Sequence, residues 1–160
     1  MSNQPLTSAN LQQFLDQYQI EATILPMAEH TPTVPDAVRA LGVETDQIIK
    51  SLVFLVNDEP LLVINNGTVK TDRRKLATRL NVGRKKVKFA SPEKALEITG
   101  YIVGSMPPFG HRQKLRTFVD PAITEFEVIF GGGGDIDAMM RLTPDELLKV
   151  TTAEILSVAE

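Results

Sequence analysis

The sequence contains no cysteine among its 160 residues, and its only histidines are His30 and His111. The lack of cysteine excludes disulfides, thiolate metal sites and cysteine nucleophiles, and it fits the reducing cytoplasm, where we expect the protein. Two histidines are too few for a histidine-rich cage, so we expect no metal and no cofactor. No apolar run approaches the roughly 20 residues that a membrane-spanning helix needs. Met1 to Asn10 has no basic stretch followed by an apolar one, so we expect no signal peptide.

The composition is that of an ordinary globular protein, with 42% hydrophobic and 23% charged residues. A chain of this length suits one compact domain with a single core. No internal repeat, low-complexity tract or linker divides the sequence, and we expect one domain over residues 1–160.

The net charge of −3 conceals a strong asymmetry along the chain. Nine basic residues and one acidic residue, Asp72, lie between Lys70 and Lys88, so this segment carries +8 and the rest of the chain −11. Such clustering in an acidic protein indicates either a surface that meets a polyanion or a solvated helix and loop.

Apolar periodicity and turn residues predict a mixed α+β fold, with one mixed β-sheet surrounded by short helices. Helices are expected from an N-cap at Ser8, over Pro35 to Leu41, from Asp72 to about Leu80, from Ser91 to Thr99, and from Thr143. Strands are expected over Ala22 to Met27, Ile48 to Val56, Leu61 to Asn65, Arg116 to Val119, Glu127 to Phe130 and Met139 to Leu142. The polar cluster from Asn57 to Pro60 predicts that the second and third strands form a hairpin.

Lys50 is the first residue that a purely structural explanation does not cover. It lies in an apolar strand, and burying an unpaired ammonium there costs several kcal/mol. Its side chain must therefore reach a cleft, a partner or, by extending along the surface, water.

Gly100 to His111, called the Gly-Pro loop below, holds three glycines and two prolines in 12 residues. Glycine permits close approach of the backbone to a ligand, and proline fixes the path of the chain. Backbone amides near Gly104 to Met106 could then donate to an ester carbonyl that gains negative charge. The alternative is a tight connection between core elements.

The run Gly131 to Gly134, followed by Asp135, comes directly after a predicted strand. Its spacing matches neither a dinucleotide fingerprint nor a P-loop, so a flexible wall beside a pocket is the better interpretation. Neither histidine has the context of a catalytic triad, and there is no nucleophile elbow. A hydrolase of this sequence would position substrate and water instead of attacking with a side chain.

Together these segments resemble the YbaK/prolyl-tRNA synthetase editing-domain family, whose members remove wrong amino acids from tRNA. The matching motifs occur in family order: His30-Thr31-Pro32, Lys50-Ser51-Leu52-Val53-Phe54, Ala90-Ser91-Pro92-Glu93, Thr99-Gly100-Tyr101, Gly104-x-x-x-Pro108-Phe109-Gly110 and the glycine-rich turn before Leu142-Thr143-Pro144-Asp145. The strand lysine and the Gly-Pro loop, about 50 residues apart, form the most specific pair.

The resemblance implies an aminoacyl-tRNA deacylase in which Lys50 anchors the 3′-terminal nucleotide or polarises the ester. The backbone at Gly104 would hold the carbonyl, and the terminal ribose hydroxyl, or a water that it orients, would assist the attack. Further substrate contacts are expected from His30, Ser51, Tyr101, Ser105, Met106, Pro108, Gly132 and Gly133. The tRNA backbone would meet Arg73, Arg74, Lys75, Arg84, Lys85 and Lys86.

The sequence departs from the family at the late strand and turn. Members that clear alanine resemble one another in having a histidine there, where this chain has Phe130 and Gly131. This difference moves the likeness toward YbaK, which acts on proline tRNA that carries cysteine. YbaK-like members also tend to have a tyrosine shortly before the first histidine motif, where this chain has Met27-Ala28-Glu29. Prolyl-tRNA synthetase is an expected partner. An RNA-binding module without chemistry and a protein-docking domain are the alternatives.

Overall fold

The hairpin β2 (Ile49–Val56) and β3 (Glu59–Asn66) forms the centre of the fold. Val56 pairs with Glu59, so the turn consists of Asn57 and Asp58, both with positive φ (50° and 66°). Asparagine and aspartate tolerate this conformation, which two-residue hairpin turns require. The predicted hairpin is confirmed.

The computed structural model describes residues 4–160. Met1 to Asn3, the first residues of the segment in which we expect no signal peptide, lie outside the described residues. The α-helices are α1 (Ser8–Gln17), α2 (Val34–Leu41), α3 (Arg73–Leu80), α4 (Pro92–Thr99) and α5 (Pro144–Thr151). The remaining strands are β1 (Ala22–Pro26), β4 (Val87–Phe89), β5 (Arg116–Val119), β6 (Ile129–Gly132), β7 (Ala138–Leu142) and β8 (Glu154–Ile155). Within the described part, no helix is long and apolar enough to cross a membrane.

The strands form two sheets, which confirms the mixed α+β class but corrects the expectation of one sheet. The larger has the order β4-β2-β3-β5-β8, with antiparallel pairs at β4-β2-β3 and parallel pairs at β3-β5-β8. The smaller is antiparallel, β1-β7-β6. A parallel bridge between Ile48 and Phe130 joins the two. The short strands β4 and β8 were not predicted.

Each face of the larger sheet has its own apolar cluster, because β2 side chains alternate between the faces. Phe54 and Val56 pack with Leu76 of α3 on one face. Ile49 and Val53 lie on the other face, in a cluster that also includes the smaller sheet, α1, α4 and α5. The alternation places Lys50 on the same face as α3.

Three of the helices begin at the side-chain N-caps that the sequence predicts. Asp72, Ser91 and Thr143 each accept a hydrogen bond from a backbone amide in the first turn of α3, α4 and α5, respectively. The start of α1 is displaced by one residue. Ser8 lies inside the helix, and its amide and hydroxyl donate to Asp135 (3.3 and 2.5 Å).

The end of β6 packs tightly against the Gly-Pro loop. A Cβ atom on Gly132 would overlap the Met106 carbonyl oxygen, and the Gly134 amide donates to the Ser105 carbonyl (2.9 Å). The glycine run is therefore a packing contact, and the flexible wall expected from the sequence is held against the loop.

We predict that Gly132→Ala lowers the free energy of unfolding by about 1–3 kcal/mol, because the added methyl group forces backbone apart. Gly83→Ala is the matched control, since a Cβ there meets nothing within 4 Å and φ is not positive. Urea unfolding of both variants measures the difference. Equal stabilities of the two variants would contradict the close approach.

Candidate functional site

An open cavity of about 340 Å³ lies at the junction of the two sheets and contains both Lys50 and Gly104. Its wall comes from the segment before α2 and α2 itself, the start of β2, the Gly-Pro loop, β6 and β7. The lining residues are Thr31, Pro32, Thr33, Val34, Pro35, Ala37, Ile48, Ile49, Lys50, Ser51, Leu52, Thr68, Val103, Gly104, Met106, Gly132 and Met139. We call this cavity the cleft.

Among the described residues, Lys50 is the only charged one in the cleft wall. It is half-buried and makes no ion pair within the described part of the chain. Burial lowers the pKa of its ammonium below the usual value for lysine, because a low-dielectric environment disfavours the charged form. An ammonium without a counter-ion beside an apolar wall attracts an anionic or strongly polar group of a ligand.

Gly104 shares the cleft wall with Lys50. It has a conformation that favours glycine (φ 97°), and a Cβ there would lie 3.1 Å from Pro32. Among residues 4–160, the amides of Gly104 and Met106 have no hydrogen-bond acceptor. The Ser105 amide is different, because it donates to the Ile102 carbonyl (3.0 Å). The donors expected from Gly104 to Met106 are therefore reduced to two.

Asn65 is a polar residue of this region that the sequence analysis missed. It is directly opposite Lys50 in the β2–β3 register and fully buried, and side chains paired in this way lie on the same face of the sheet. Its Nδ2 donates to Thr71, but its Oδ1 has no partner within residues 4–160. A buried carbonyl oxygen without a donor costs about 1–3 kcal/mol. Asn65 therefore holds an unused acceptor on the face of the sheet that carries Lys50.

The structure brings together some of the predicted substrate-binding residues and not others. Ser51, Met106 and Gly132 line the cleft with Lys50 and Gly104. The other predicted contacts, which do not line it, are His30, Tyr101, Ser105, Pro108 and Gly133.

Different causes remove these five from the cleft wall. His30 is exposed, whereas the next two residues of its motif do line the cleft. Tyr101 is fully buried in the core, and burial, aided by the charge of Asp135, raises its pKa to about 12. The Ser105 hydroxyl donates to the Ile102 carbonyl (2.7 Å). Pro108 lines a separate cavity.

Gly133 leaves the cleft wall because it belongs to the turn between β6 and β7. Its amide donates to the Ala138 carbonyl (3.1 Å), and a Cβ would lie 2.6 Å from the Ala138 carbonyl carbon. This glycine therefore closes the turn.

The predicted tRNA-binding residues lie at α3 and the 3₁₀ turn Arg84–Lys86, and we call them the basic surface. All six are exposed: Arg73, Arg74, Lys75, Arg84, Lys85 and Lys86. Arg73, Arg74 and Arg84 share a shallow polar depression. Two of the six already donate to backbone carbonyls: the Lys75 ammonium to Ala159 (2.6 Å) and the Arg73 guanidinium to Val87 (3.5 Å).

Potential metal ligands are not clustered in the described part of the chain. No group of three His, Asp or Glu side chains within residues 4–160 is arranged to hold a metal ion. The polar groups that line the cleft are backbone amides, the hydroxyls of threonine and serine, and the Lys50 ammonium.

A model of the aminoacyl-tRNA editing domain family matches residues 28–150, a range that includes the entire cleft wall. The chain belongs to this family. The predicted family membership is confirmed, and so is the prediction that this editing domain is an aminoacyl-tRNA deacylase.

Relatives of the editing domain are both separate chains and parts of synthetases. This chain is 29% identical to YwhH of Bacillus subtilis over 87% of each chain. It is 28% identical to the multifunctional Ser/Thr-tRNA deacylase ProXp-y of Escherichia coli, covering 72% of this chain and 71% of that one. The proline--tRNA ligase of Listeria innocua is 26% identical over 78% of this chain. The matched region makes up only 22% of that enzyme.

A solved structure has the same fold over nearly the entire chain. It is the crystal structure of a proposed trans-editing enzyme for prolyl-tRNA synthetase, with a TM-score of 0.88, 28% identity and 96% coverage of both chains.

His111 lies outside the cleft and has a structural role in the editing domain. Its Nε2 donates to the Pro107 carbonyl (2.8 Å), which fixes the neutral tautomer, and its ring packs edge-on against Tyr101. Burial lowers the pKa of His111 to about 4, and the hydrogen bond to Pro107 opposes this shift only in part.

We predict that His111 makes the domain sensitive to acid. Its pKa is lower in the folded chain than in the unfolded chain, so the unfolded chain binds the proton first as the pH falls. This group should remove about 1–2 kcal/mol of stability between pH 7 and pH 5. His111→Gln should lose that part of the pH dependence, as measured by urea unfolding at both values. The same pH dependence in both proteins would be the contrary result.

Proposed function

We propose that this editing domain acts in trans on proline tRNA that carries cysteine or another small amino acid, and hydrolyses its ester. The observation that carries the proposal is the shared cleft, in which the Lys50 ammonium and the Gly104 backbone lie on the wall of one cavity. Within this proposal the chain is a single editing domain over residues 1–160, works in the cytoplasm and has prolyl-tRNA synthetase as a partner.

The proposed reaction is attack of water on the carbonyl carbon of the ester. The bond from that carbon to the ribose oxygen breaks, and the ribose oxygen takes up a proton. The free amides of Gly104 and Met106 would donate to the carbonyl oxygen as it gains negative charge, which is the role of an oxyanion hole. Lys50 would hold the terminal phosphate or the ester oxygen.

None of the residues 4–160 that line the cleft is a histidine, aspartate or glutamate. The attacking water therefore needs a base from elsewhere, and a ribose hydroxyl of the substrate, or a water that it orients, would supply it. Positioning of the reactants alone can lower the activation barrier by about 7–11 kcal/mol. A site without a side-chain base is therefore chemically sufficient for ester hydrolysis.

The mostly apolar lining of the cleft supports an amino acid without a charged side chain. Val34, Ala37 and Met139 line it, and Phe130 packs in the same apolar cluster. The relative ProXp-y is named as a Ser/Thr-tRNA deacylase, and both of the amino acids in its name are small. One methylene group is worth only about 1–3 kcal/mol in a binding pocket, which is why synthetases need a second sieve of this kind.

The deciding experiment incubates the purified protein with proline tRNA carrying Cys, Ala, Ser, Thr or Pro and follows ester loss over time. We predict hydrolysis of Cys or another small amino acid, and a loss of at least about 100-fold in kcat/KM for Lys50→Ala, as for removal of one oxyanion-stabilising group. Lys94→Ala is the matched control, because Lys94 is on α4, outside the cleft, and pairs with Glu97. Survival of every ester at micromolar protein would reject the deacylase of proline tRNA.

We further predict that the basic surface contributes a salt-dependent part of tRNA affinity. Changing Arg84, Lys85 and Lys86 to Glu should lower the slope of log affinity against log salt by about 2–3, because each phosphate contact contributes about 0.7–0.9. The control changes Lys94, Lys114 and Lys149 to Glu, which alters the net charge equally. Equal slopes for the two variants, measured by filter binding, would place the tRNA on another surface.

A further inference from the structure

Phe89 is a large apolar side chain that the fold leaves exposed, with 58% of its surface accessible. It is the last residue of β4 and follows directly on the basic segment from Lys70 to Lys88. An exposed phenylalanine beside lysines is unfavourable for a surface that only needs to be soluble. This combination is typical of sites that stack the bases of single-stranded nucleic acids.

The ring of Phe89 is held in place by the larger sheet. It packs edge-to-face against Phe54, with centroids 5.2 Å apart and an interplanar angle of 83°, and Phe54 is buried. The backbone on either side is fixed by the Phe54–Phe89 pairing and by the Ala90 amide, which donates to the Val53 carbonyl (3.0 Å). A base could therefore stack on the ring with little loss of side-chain entropy.

Phe89 lies on the same face of the larger sheet as Lys50. It pairs with Phe54, four residues along β2 from Lys50, and four residues of a strand span about 13 Å. Leu52, between them on this face, lines the cleft. A single strand whose last nucleotide enters the cleft would thus place an earlier base near Phe89.

The charges around Phe89 complement a nucleic-acid backbone. The guanidinium of Arg73 reaches the Val87 carbonyl (3.5 Å), which brings the N-terminus of α3 to β4. The 3₁₀ turn Arg84–Lys86 leads directly into β4. The aromatic ring therefore lies between the cleft and the basic surface.

We propose that Phe89 is a stacking platform for an unpaired base of the tRNA 3′ end, one or two nucleotides before the aminoacylated one. The proposal rests on the function proposed above, since it needs the terminal nucleotide in the cleft. It adds a binding residue that the family motifs in this sequence do not include.

The test measures binding apart from hydrolysis. The probes are two RNA hairpins that carry no amino acid and have a single-stranded CCA end, and in each of them pyrrolo-cytosine replaces a different one of the two cytosines. With the wild-type protein we expect both probes to bind and the fluorescence of one of them to change on stacking. Phe89→Ala should raise Kd by about 5- to 150-fold, the range for loss of one stacked base, and abolish the fluorescence change.

Two variants separate stacking from a structural role of Phe89. Phe89→Leu keeps an apolar contact with Phe54 but no aromatic face, so it should bind as weakly as Phe89→Ala, whereas Phe89→Trp should bind like the wild type. Tyr18→Ala is the matched control, because Tyr18 is equally exposed (60%) but lies at the end of α1, and its Kd should not change.

Several results would overturn the proposal. These are no binding of either probe by the wild-type protein, unchanged affinity in Phe89→Ala, and full rescue by leucine. A normal stacking signal without ester hydrolysis would reject the deacylase but leave Phe89 as a base-binding residue. Ester hydrolysis that is unaffected by Phe89→Ala, with no fluorescence change in the wild type, would keep the deacylase and reject Phe89 as a base-binding residue.

Discussion

The contact between Gly132 and the carbonyl of Met106 is the constraint on which the cleft depends. Only a residue without a side chain allows β6 to approach the Gly-Pro loop so closely, and the bond from Gly134 to Ser105 holds the two in register. The loop is thereby attached to the smaller sheet, while Lys50 belongs to the larger one. The distance between the ammonium and the free amides is thus fixed by how the two sheets meet.

The charge distribution follows the same division of the molecule. The face of the larger sheet that carries α3 holds the basic surface, Phe89 and Lys50, and the cleft wall contains no acidic residue that would neutralise the ammonium. The remaining chain has an excess of negative charge. Such a distribution orients a polyanion before contact, because like charge repels it from most of the surface.

Much of the fold follows from local signals in the sequence. Asp72, Ser91 and Thr143 specify where their helices begin, and Asn57 and Asp58 specify the hairpin turn, since each acts on backbone groups a few residues away. The division into two sheets does not follow, because it depends on contacts such as that between Ile48 and Phe130. Equally, a three-residue strand such as β4, with one lysine at its centre, has too little periodicity to be recognised.

The candidate site was predictable in its centre and not at its margins. A lysine in an apolar strand and a glycine-proline loop are both unusual enough to be noticed, and they do lie on one cavity. Asn65 could not be found in this way, because the sequence predicts it as the last residue of a strand and does not indicate that its amide oxygen is buried without a donor. His30 was chosen with its motif, whereas the fold turns it to solvent and uses its neighbour Thr31.

The parallel pairing of β3 with β5 has a consequence for how the molecule assembles. Leu61 pairs with Arg116, so the entire stretch from α3 through the Gly-Pro loop is the crossover between two adjacent strands. The β2–β3 hairpin can form from nearby residues alone, whereas this pairing must first close a long loop. We therefore expect the strand that carries Lys50 to pair early in folding, and the free amides of Gly104 and Met106 to reach their place only with the later, long-range contacts. A partly folded chain would display the lysine without the other half of the site.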